Sequence, residues 1–569
     1  MKNKNYLRQT GWIFGLFFIA AAAFLLPMKS SQQEVPPRIT DLGPLVDSPK
    51  PSHPKLQSVL SRLAEIASTQ GLEKASKYAA MRKINMRGDS VRIVTEAETD
   101  LRSTASGVFG ALARKKIESL GGVIETSYRQ LIQHNLPLAA LNILADDPSV
   151  RFVRLPLKPV LLDYISEGVS YIGADSWRNL EPYRNDKGAK ICILDAGFGG
   201  YTSLLGTELP SSVTARSFRA DGDIFAGIAH GTACAEIVHD VAPKAKLYLV
   251  NFETDVEQHN ALSWLRGQGV QVISYSLGWF NAGAGDGTGP ICEDVENANN
   301  LGIAWASAAG NNAVNHWDGY FNDPDGDGWL NFSGNDKFLE FHLPAYWEVG
   351  VFLNWKDWGT WNGVNYGGSD QDFDLYLYIW NGLTWQLVDK SDNSQTGTQW
   401  PTEEIYGWYA DRAATWAVAI KKYSATKNVR LELVTYETDE AIEYYVSPRS
   451  ITVPADARSA IACGAVSWSN DAYHYYSSQG PTYDGRIKPD FASPSGVSTA
   501  TYGPYLPGIS GFFGTSTSAP HVAGAIGLIK SNTPYSIAQI KTLLEKRAVD
   551  LGEPGKDNKF GWGRLNVKK

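Results

Sequence analysis

The chain has 569 residues, a formal net charge of −8 and 43% hydrophobic residues, with Trp, Tyr and Phe plentiful. That length exceeds one ordinary core and predicts three or four units. No basic run follows the first ten residues, which excludes a nucleic-acid footprint. Four cysteines without C-x-x-C spacing exclude a disulfide framework, and sequence cannot choose among their three pairings.

In chain order, Lys2, Lys4 and Arg8 precede the apolar run "GWIFGLFFIAAAAFLLPM", so residues 1–28 read as a signal peptide or signal anchor. The expectation is a secreted or extracytoplasmic protein, touching a membrane only if that segment is an uncleaved anchor. Residues 29–55 are rich in proline and polar residues and read as a linker. From 56 to 160 strands "SVRIVTEAE", "GVIETSYRQ" and "VRFVRLPL" alternate with helices "SGVFGALARKKIESLG" and "LAALNILADDP", a small two-layer α+β unit.

A larger α/β pattern occupies 161–312 and resumes over 447–569. Continuous apolar strands such as "AKICILD", "AKLYLVNF" and "VQVISYSLG" alternate with helices, which indicates a parallel sheet covered on both faces. Between them, residues 313–446 hold eleven of the eighteen tryptophans and read as short alternating strands. An antiparallel β-sandwich, jelly-roll-like, is inserted into the α/β domain.

The stretch "GFFGTSTSAPHVAG", 511–524, sets four hydroxyl residues at the entry to an apolar helix. They either cap the helix or include a nucleophile at a helix N-terminus, where orphan N–H groups favour an oxyanion. A nucleophilic serine needs a base and an orienting carboxylate. His230 in "AHGTA" opens a helix at the end of the sheet, and Asp195 ends the strand "ICILD". Alone, each reads as a surface cap or a turn residue. Together, Asp195, His230 and Ser516 stand at element ends within one α/β unit, and the chemical reading prevails.

The constellation resembles the subtilisin-like serine proteases, the subtilase family. "GTSTSAPHVAG" and "HGTACA" match the family's serine and histidine motifs, "SYSLG" (274–278) its substrate strand and "AAGN" (308–311) its oxyanion asparagine. "SSQGPT", "KPDFASPSG" and "DNKFGWGRLN" add further likeness. The resemblance implies a serine endopeptidase acting through an acyl-enzyme on polypeptide substrates. Ser516 would be the nucleophile, His230 the base and Asp195 the orienting acid. Asn311 would line the oxyanion hole, and Ser276, Leu277 and Gly278 would bind substrate. No cofactor is required for this chemistry. The 56–160 unit resembles the family's inhibitory propeptide, which implies a self-processing zymogen with its own propeptide as intramolecular inhibitor. Cys234, one turn after His230, resembles the thiol of the subset that includes proteinase K.

Departures are present. Glu236 stands where the family usually has a small residue, and the passage from "AEIVHD" to "VAPKAKLYL" leaves no room for a common calcium loop. In the insert, Asp323, Asp325 and Asp327 alternate before Gly328, as in structural-calcium loops, but without a Glu at the twelfth position. Asp370, Asp372 and Asp374 share one face of a strand. The tryptophans read as sandwich core rather than a sugar platform. Two rivals are an idle binding protein on a peptidase scaffold, with the sandwich as ligand module, and a sedolisin-type acid peptidase. The latter group lacks the catalytic histidine, so "HGT" disfavours it.

Overall fold

The computed structural model describes residues 53–82, 84–98, 110–157, 160–161, 168–175, 188–436, 438, 440–506 and 510–568. The signal segment 1–28 and the linker up to 52 lie outside these residues.

The N-terminal unit begins with helices α1 (Ser58–Gln70) and α2 (Leu72–Met81), joined at Gly71 with φ 90°. Strands β1 (Met86–Arg87), β2 (Ser90–Ala97), β3 (Val123–Tyr128), β4 (Leu131–Pro137) and β5 (Val150–Arg154) follow, with helices α3 (Ala111–Ser119) and α4 (Leu141–Ala145) between them. The sheet runs β1-β2-β4-β3, with β5 also on β2. Leu60, Leu63 and Ile66 recur at helical spacing and bury one face of α1 in a core with Val91, Ile93, Ile117 and Ile132. The sequence reading named neither α1 nor β4, although L-x-x-L-x-x-I was the signal for the first.

Strand β6 (Val160–Leu161) leaves this unit and enters the α/β domain. There the elements are β7 (Lys190–Asp195), β8 (Thr214–Ser217), α5 (His230–Val241), β9 (Lys246–Asn251), α6 (Asp255–Leu265), β10 (Val272–Tyr275), β11 (Leu277–Gly278), α7 (Pro290–Asn300) and β12 (Ala304–Ala308). The sandwich comes next, with β13 (His316–Tyr320), β14 (Leu339–Leu343), β15 (Glu348–Trp355), β16 (Asp372–Trp380), β17 (Trp385–Ser391), β18 (Thr402–Tyr409), β19 (Ala414–Ser424) and β20 (Arg430–Tyr436). The α/β domain ends with β21 (Ile461–Ser467), β22 (Phe491–Ser495), α8 (Thr515–Asn532) and α9 (Ile537–Arg547).

The α/β domain carries a seven-stranded parallel sheet in the order β22-β21-β12-β10-β7-β9-β8. Its strands are apolar on both faces because helices cover both. Helix α8 lies close against α5 and β7. A Cβ at Gly524 would stand 2.7 Å from Val241, and one at Gly527 2.5 Å from Ile191. Glycine permits that approach, which brings the start of α8 to the start of α5. The sandwich packs two antiparallel sheets, β13-β20-β15-β18 and β14-β19-β16-β17. Trp317, Trp355 and Trp416 are buried in its core, while Trp329 and Trp385 are buried in a smaller cluster beside it.

Helix α6 was missed by the sequence reading. Its capping box is explicit: Glu257 N–H bonds Thr254 Oγ1 at 3.3 Å, and the Glu257 carboxylate accepts from Thr254 N–H at 3.2 Å. On it docks the sheet of the N-terminal unit. Arg92 donates to Glu125 at 2.6 Å, to Glu253 at 3.0 Å and to Glu257 at 2.7 Å, joining the two units through one guanidinium. Arg154 bridges Glu96 and Asp255, each at 2.8 Å, and the Tyr128 and His259 rings stack at 4.3 Å.

Candidate active site

Asp195 is the last residue of β7 and His230 the first of α5, so the sheet end and the helix start bring them together. His230 Nδ1 lies 2.9 Å from both Asp195 carboxylate oxygens, and both side chains are fully buried. This contact puts the proton on Nδ1 and leaves Nε2 as the basic nitrogen.

Ser516 is the second residue of α8. The hydroxyls around it have separate tasks. Gly514, at φ 118° in a conformation that L side chains rarely adopt, donates its N–H to Ser495 Oγ at 2.8 Å and to Tyr476 Oη at 2.9 Å. Thr517 Oγ1 donates to the carbonyls of Gly514 and Pro494, and Ser518 Oγ to that of Ser493. Pro520 lacks the N–H that would bond the Ser516 carbonyl in a regular helix. That carbonyl accepts instead from Ser276 Oγ at 2.7 Å and from Cys234 Sγ at 3.6 Å. The backbone of Ser516 is thereby tied to the substrate strand and to the histidine helix. Its Oγ is 3.4 Å from the Ser276 carbonyl, and the Phe512 ring stands 5.7 Å from that of His230.

Asn311 follows β12. Its Oδ1 accepts from Thr515 N–H at 2.9 Å and Thr515 Oγ1 at 3.0 Å, and Thr515 Oγ1 also accepts from Gly310 N–H at 3.1 Å. The carbonyl oxygen of Asn311 is thus engaged by Thr515, so the donating half of this side chain is its amide nitrogen. Thr515 was not singled out from sequence, because among four successive hydroxyls none is distinguished by type.

Of the residues expected to bind substrate, Leu277 and Gly278 form a strand edge, with Ser276 just before it, and this edge is occupied by the chain itself. β6 pairs antiparallel with β11, Leu161 opposite Leu277 and Val160 opposite Gly278. On the far side of residues 162–167, Gly168 stands against Pro494 and His521, where a Cβ would meet side-chain atoms at 2.3–2.8 Å.

Glu236, the departure on the histidine helix, is buried and accepts from Ala500 N–H at 2.5 Å, Thr501 N–H at 3.2 Å and Thr501 Oγ1. Burial raises its pKa while these three donors oppose the rise. It anchors residues 500–501, three residues beyond Val497, which bridges to Phe512. Cys192, Cys234, Cys292 and Cys463 are all free thiols and all buried. Asp195, His230 and Cys234 offer ligand atoms within 4.8 Å of one another.

In the insert, Asp323, Asp325 and Asp327 gather their carboxylates within 4.8 Å, as a cation site requires. Asp323 accepts from the N–H groups of Gly326, Asp327 and Gly328 at 2.8–3.1 Å. The Lys337 ammonium bridges Asp325, at 2.7 Å, and Asp327. Calcium, which takes six to eight oxygens, would meet the Lys337 ammonium at these acids.

Residues 186–347 and 444–563 match the Peptidase_S8 family, described as the subtilase family. Subtilisin E of Bacillus subtilis (strain 168) is 37% identical over 195 residues, 34% of this chain and 44% of the relative. An extracellular serine protease of Serratia marcescens is 44% identical over 63 residues, 11% of this chain and 6% of that protein. These matches therefore span less than half the length of either relative. Among solved structures, fervidolysin from Fervidobacterium pennivorans aligns over 85% of this chain and 61% of its own at 14% identity and a TM-score of 0.41. The epidermin leader peptide processing serine protease of Staphylococcus aureus aligns over 84% and 97% at 12% identity and a TM-score of 0.44.

Proposed function

The chain belongs to the subtilase family, and from that premise we propose that it is a serine endopeptidase made as a self-processing zymogen. The carrying observation is the buried Asp195–His230 pair, its histidine on a helix whose Cys234 meets the Ser516 carbonyl, next to a strand edge that already holds an extended segment of the chain.

In this reading a substrate segment adds to β11 through its main chain, so recognition is of extended polypeptide. His230 Nε2 takes the Ser516 proton as Oγ attacks the scissile carbonyl. The oxyanion is met by the Ser516 N–H and the Asn311 amide. The imidazolium, held by Asp195, then gives its proton to the leaving amine, and water releases the acyl group by the same steps. No metal or cofactor enters the sequence.

The first substrate is the chain itself. Leu161 lies on the substrate strand and Gly168 beyond it, so the bond cut in self-processing falls between them. The N-terminal unit is the intramolecular inhibitor, since its last strand blocks the edge that a substrate needs. Export rests on residues 1–28 and accords with relatives described as extracellular. Among the described residues, no helix is long and apolar enough to cross a membrane.

The test is direct. The native chain should take a fluorophosphonate label on Ser516. Ser516→Ala should accumulate as the proprotein in a host lacking other proteases. Normal maturation of that alanine variant would refute self-processing.

A further inference from the structure

The N-terminal unit is held from two sides. One is α6 of the α/β domain; the other is the inserted sandwich. Asn393 Oδ1 accepts from Ser58 N–H at 2.6 Å, so a residue of the insert caps the first turn of α1, which lacks a side-chain cap of its own. Gln57 donates to Glu404 at 3.1 Å. Arg151 forks into a socket of the insert, to Asn365 Oδ1 at 2.8 Å and to the Thr398 carbonyl at 2.9 Å. Arg129 and Gln130 donate to the carbonyls of Gly363 and Val364 at 2.9 and 3.0 Å. One bond runs the other way, from Gln399 to the Pro54 carbonyl at 3.0 Å. An ion pair joins Arg82 to Asp389. The N-terminal unit thus presents donors and the insert presents acceptors.

This joint is built to separate. Each unit has its own apolar core. The bonds named between them are hydrogen bonds and one ion pair, and along the contact lies a cavity of about 210 Å³ with a largely apolar wall, lined among others by Ser58, Arg82, Leu155, Phe352 and Tyr406, with Phe280 of the α/β domain. Polar joints of this kind are the detachable ones. The cavity wall also includes Leu157, three residues before the strand that occupies the substrate edge. The sandwich therefore grips the unit just upstream of the blocked cleft.

We propose that the inserted sandwich is the second half of the receptor for the N-terminal unit, keeping it docked after the first bond is cut and so setting how long the enzyme stays latent. The inhibitory consequence rests on the peptidase reading above, but the docking itself does not. Cutting between Leu161 and Gly168 leaves the contacts to the insert untouched, because they lie at residues 54–58, 82, 129–130 and 151.

Hydrogen exchange on full-length Ser516→Ala chain reads the docking without catalysis. Asn393→Ala with Gln399→Ala should make amides of 58–70 exchange about tenfold faster, while strands 339–343 and 414–424 keep their rates. Unchanged rates at 58–70 would overturn the proposal. If the sandwich strands also loosen, Asn365→Ala decides, through faster exchange over 150–154 or none. In the active chain, the same substitutions should shorten the interval between self-cleavage and full activity. A chain that takes no fluorophosphonate label refutes the peptidase reading, whereas unchanged exchange refutes the second receptor, and the two results are independent.

Discussion

At the scale of single residues, the asparagine proposed for the oxyanion hole does not stand alone. Asn311 is aimed by Thr515, which takes its Oδ1 through both N–H and Oγ1. Asn311→Ala should lower kcat by about 100- to 1000-fold with little change in KM, as loss of one oxyanion donor does. Thr515→Val should cost less. The double variant should fall no further than Asn311→Ala, because both act through one amide; multiplied losses in steady-state kinetics would refute the coupling. Cys234 gives the second residue-scale prediction. Its Sγ is 3.6 Å from the Ser516 carbonyl and close to the Asp195–His230 pair, yet fully buried. A small mercurial that displaces the imidazole by about 1 Å would cost roughly 100-fold in rate. Inhibition should be reversed by excess thiol and lost in Cys234→Val. Equal sensitivity in that variant would assign the effect to another thiol.

At the scale of elements, the N-terminal sheet carries a built-in sensitivity to acid. His134 lies on β4 with its ring fully buried, its Nε2 on Thr95 Oγ1 at 2.8 Å. Burial holds its pKa down to about 3, against 6.5 when unfolded. Between those values the unfolded state binds the proton and the folded state does not, so folding is fully supported above pH 6.5. Support is lost as pH falls toward 3, by about 1.4 kcal/mol per pH unit. Thermal melts of the Ser516→Ala chain should show the N-terminal unit weakening below pH 6.5, with a flatter profile in His134→Gln. A profile equally steep in both would assign the acid sensitivity to other groups. Helix α6 matters at the same scale, since it carries Glu257 and Asp255 to the Arg92 and Arg154 forks. Its T-x-x-E capping box stood in the sequence at 254–257, and reading it would have found the docking helix.

At the scale of the whole molecule, the insert leaves the chain beside Asn311 and returns by way of Ser450, whose Oγ accepts from Gln479 N–H. It leans on the wall next to the substrate strand: Asn281 donates to the Glu403 carbonyl at 3.0 Å, and Phe280 packs on Phe352 at 4.8 Å between ring centres. If the insert screens the cleft, bulky substrates are affected by it more than short peptides are. Replacing 313–446 by a Gly/Ser linker should alter cleavage of folded proteins more than that of tetrapeptides. Equal changes for both would mean that the sandwich only supports the fold.

The placement of the proposed catalytic residues was legible in the sequence, because such chemistry requires particular residue types at element ends: Asp195 does close an apolar strand, and His230 and Ser516 do stand at helix starts. The parallel sheet was legible from strands apolar on both faces, and the sandwich from a break in that pattern and a run of tryptophans. What only the tertiary structure decided is pairing between groups far apart in the chain. That Asn393 caps a helix beginning at Ser58, that Glu236 holds the loop at 500–501, and that Lys337 bridges Asp325 and Asp327 all depend on donors and acceptors meeting in space. Polar side chains of these kinds are common on any surface, and local spacing carries no mark of the partner that folding brings to them.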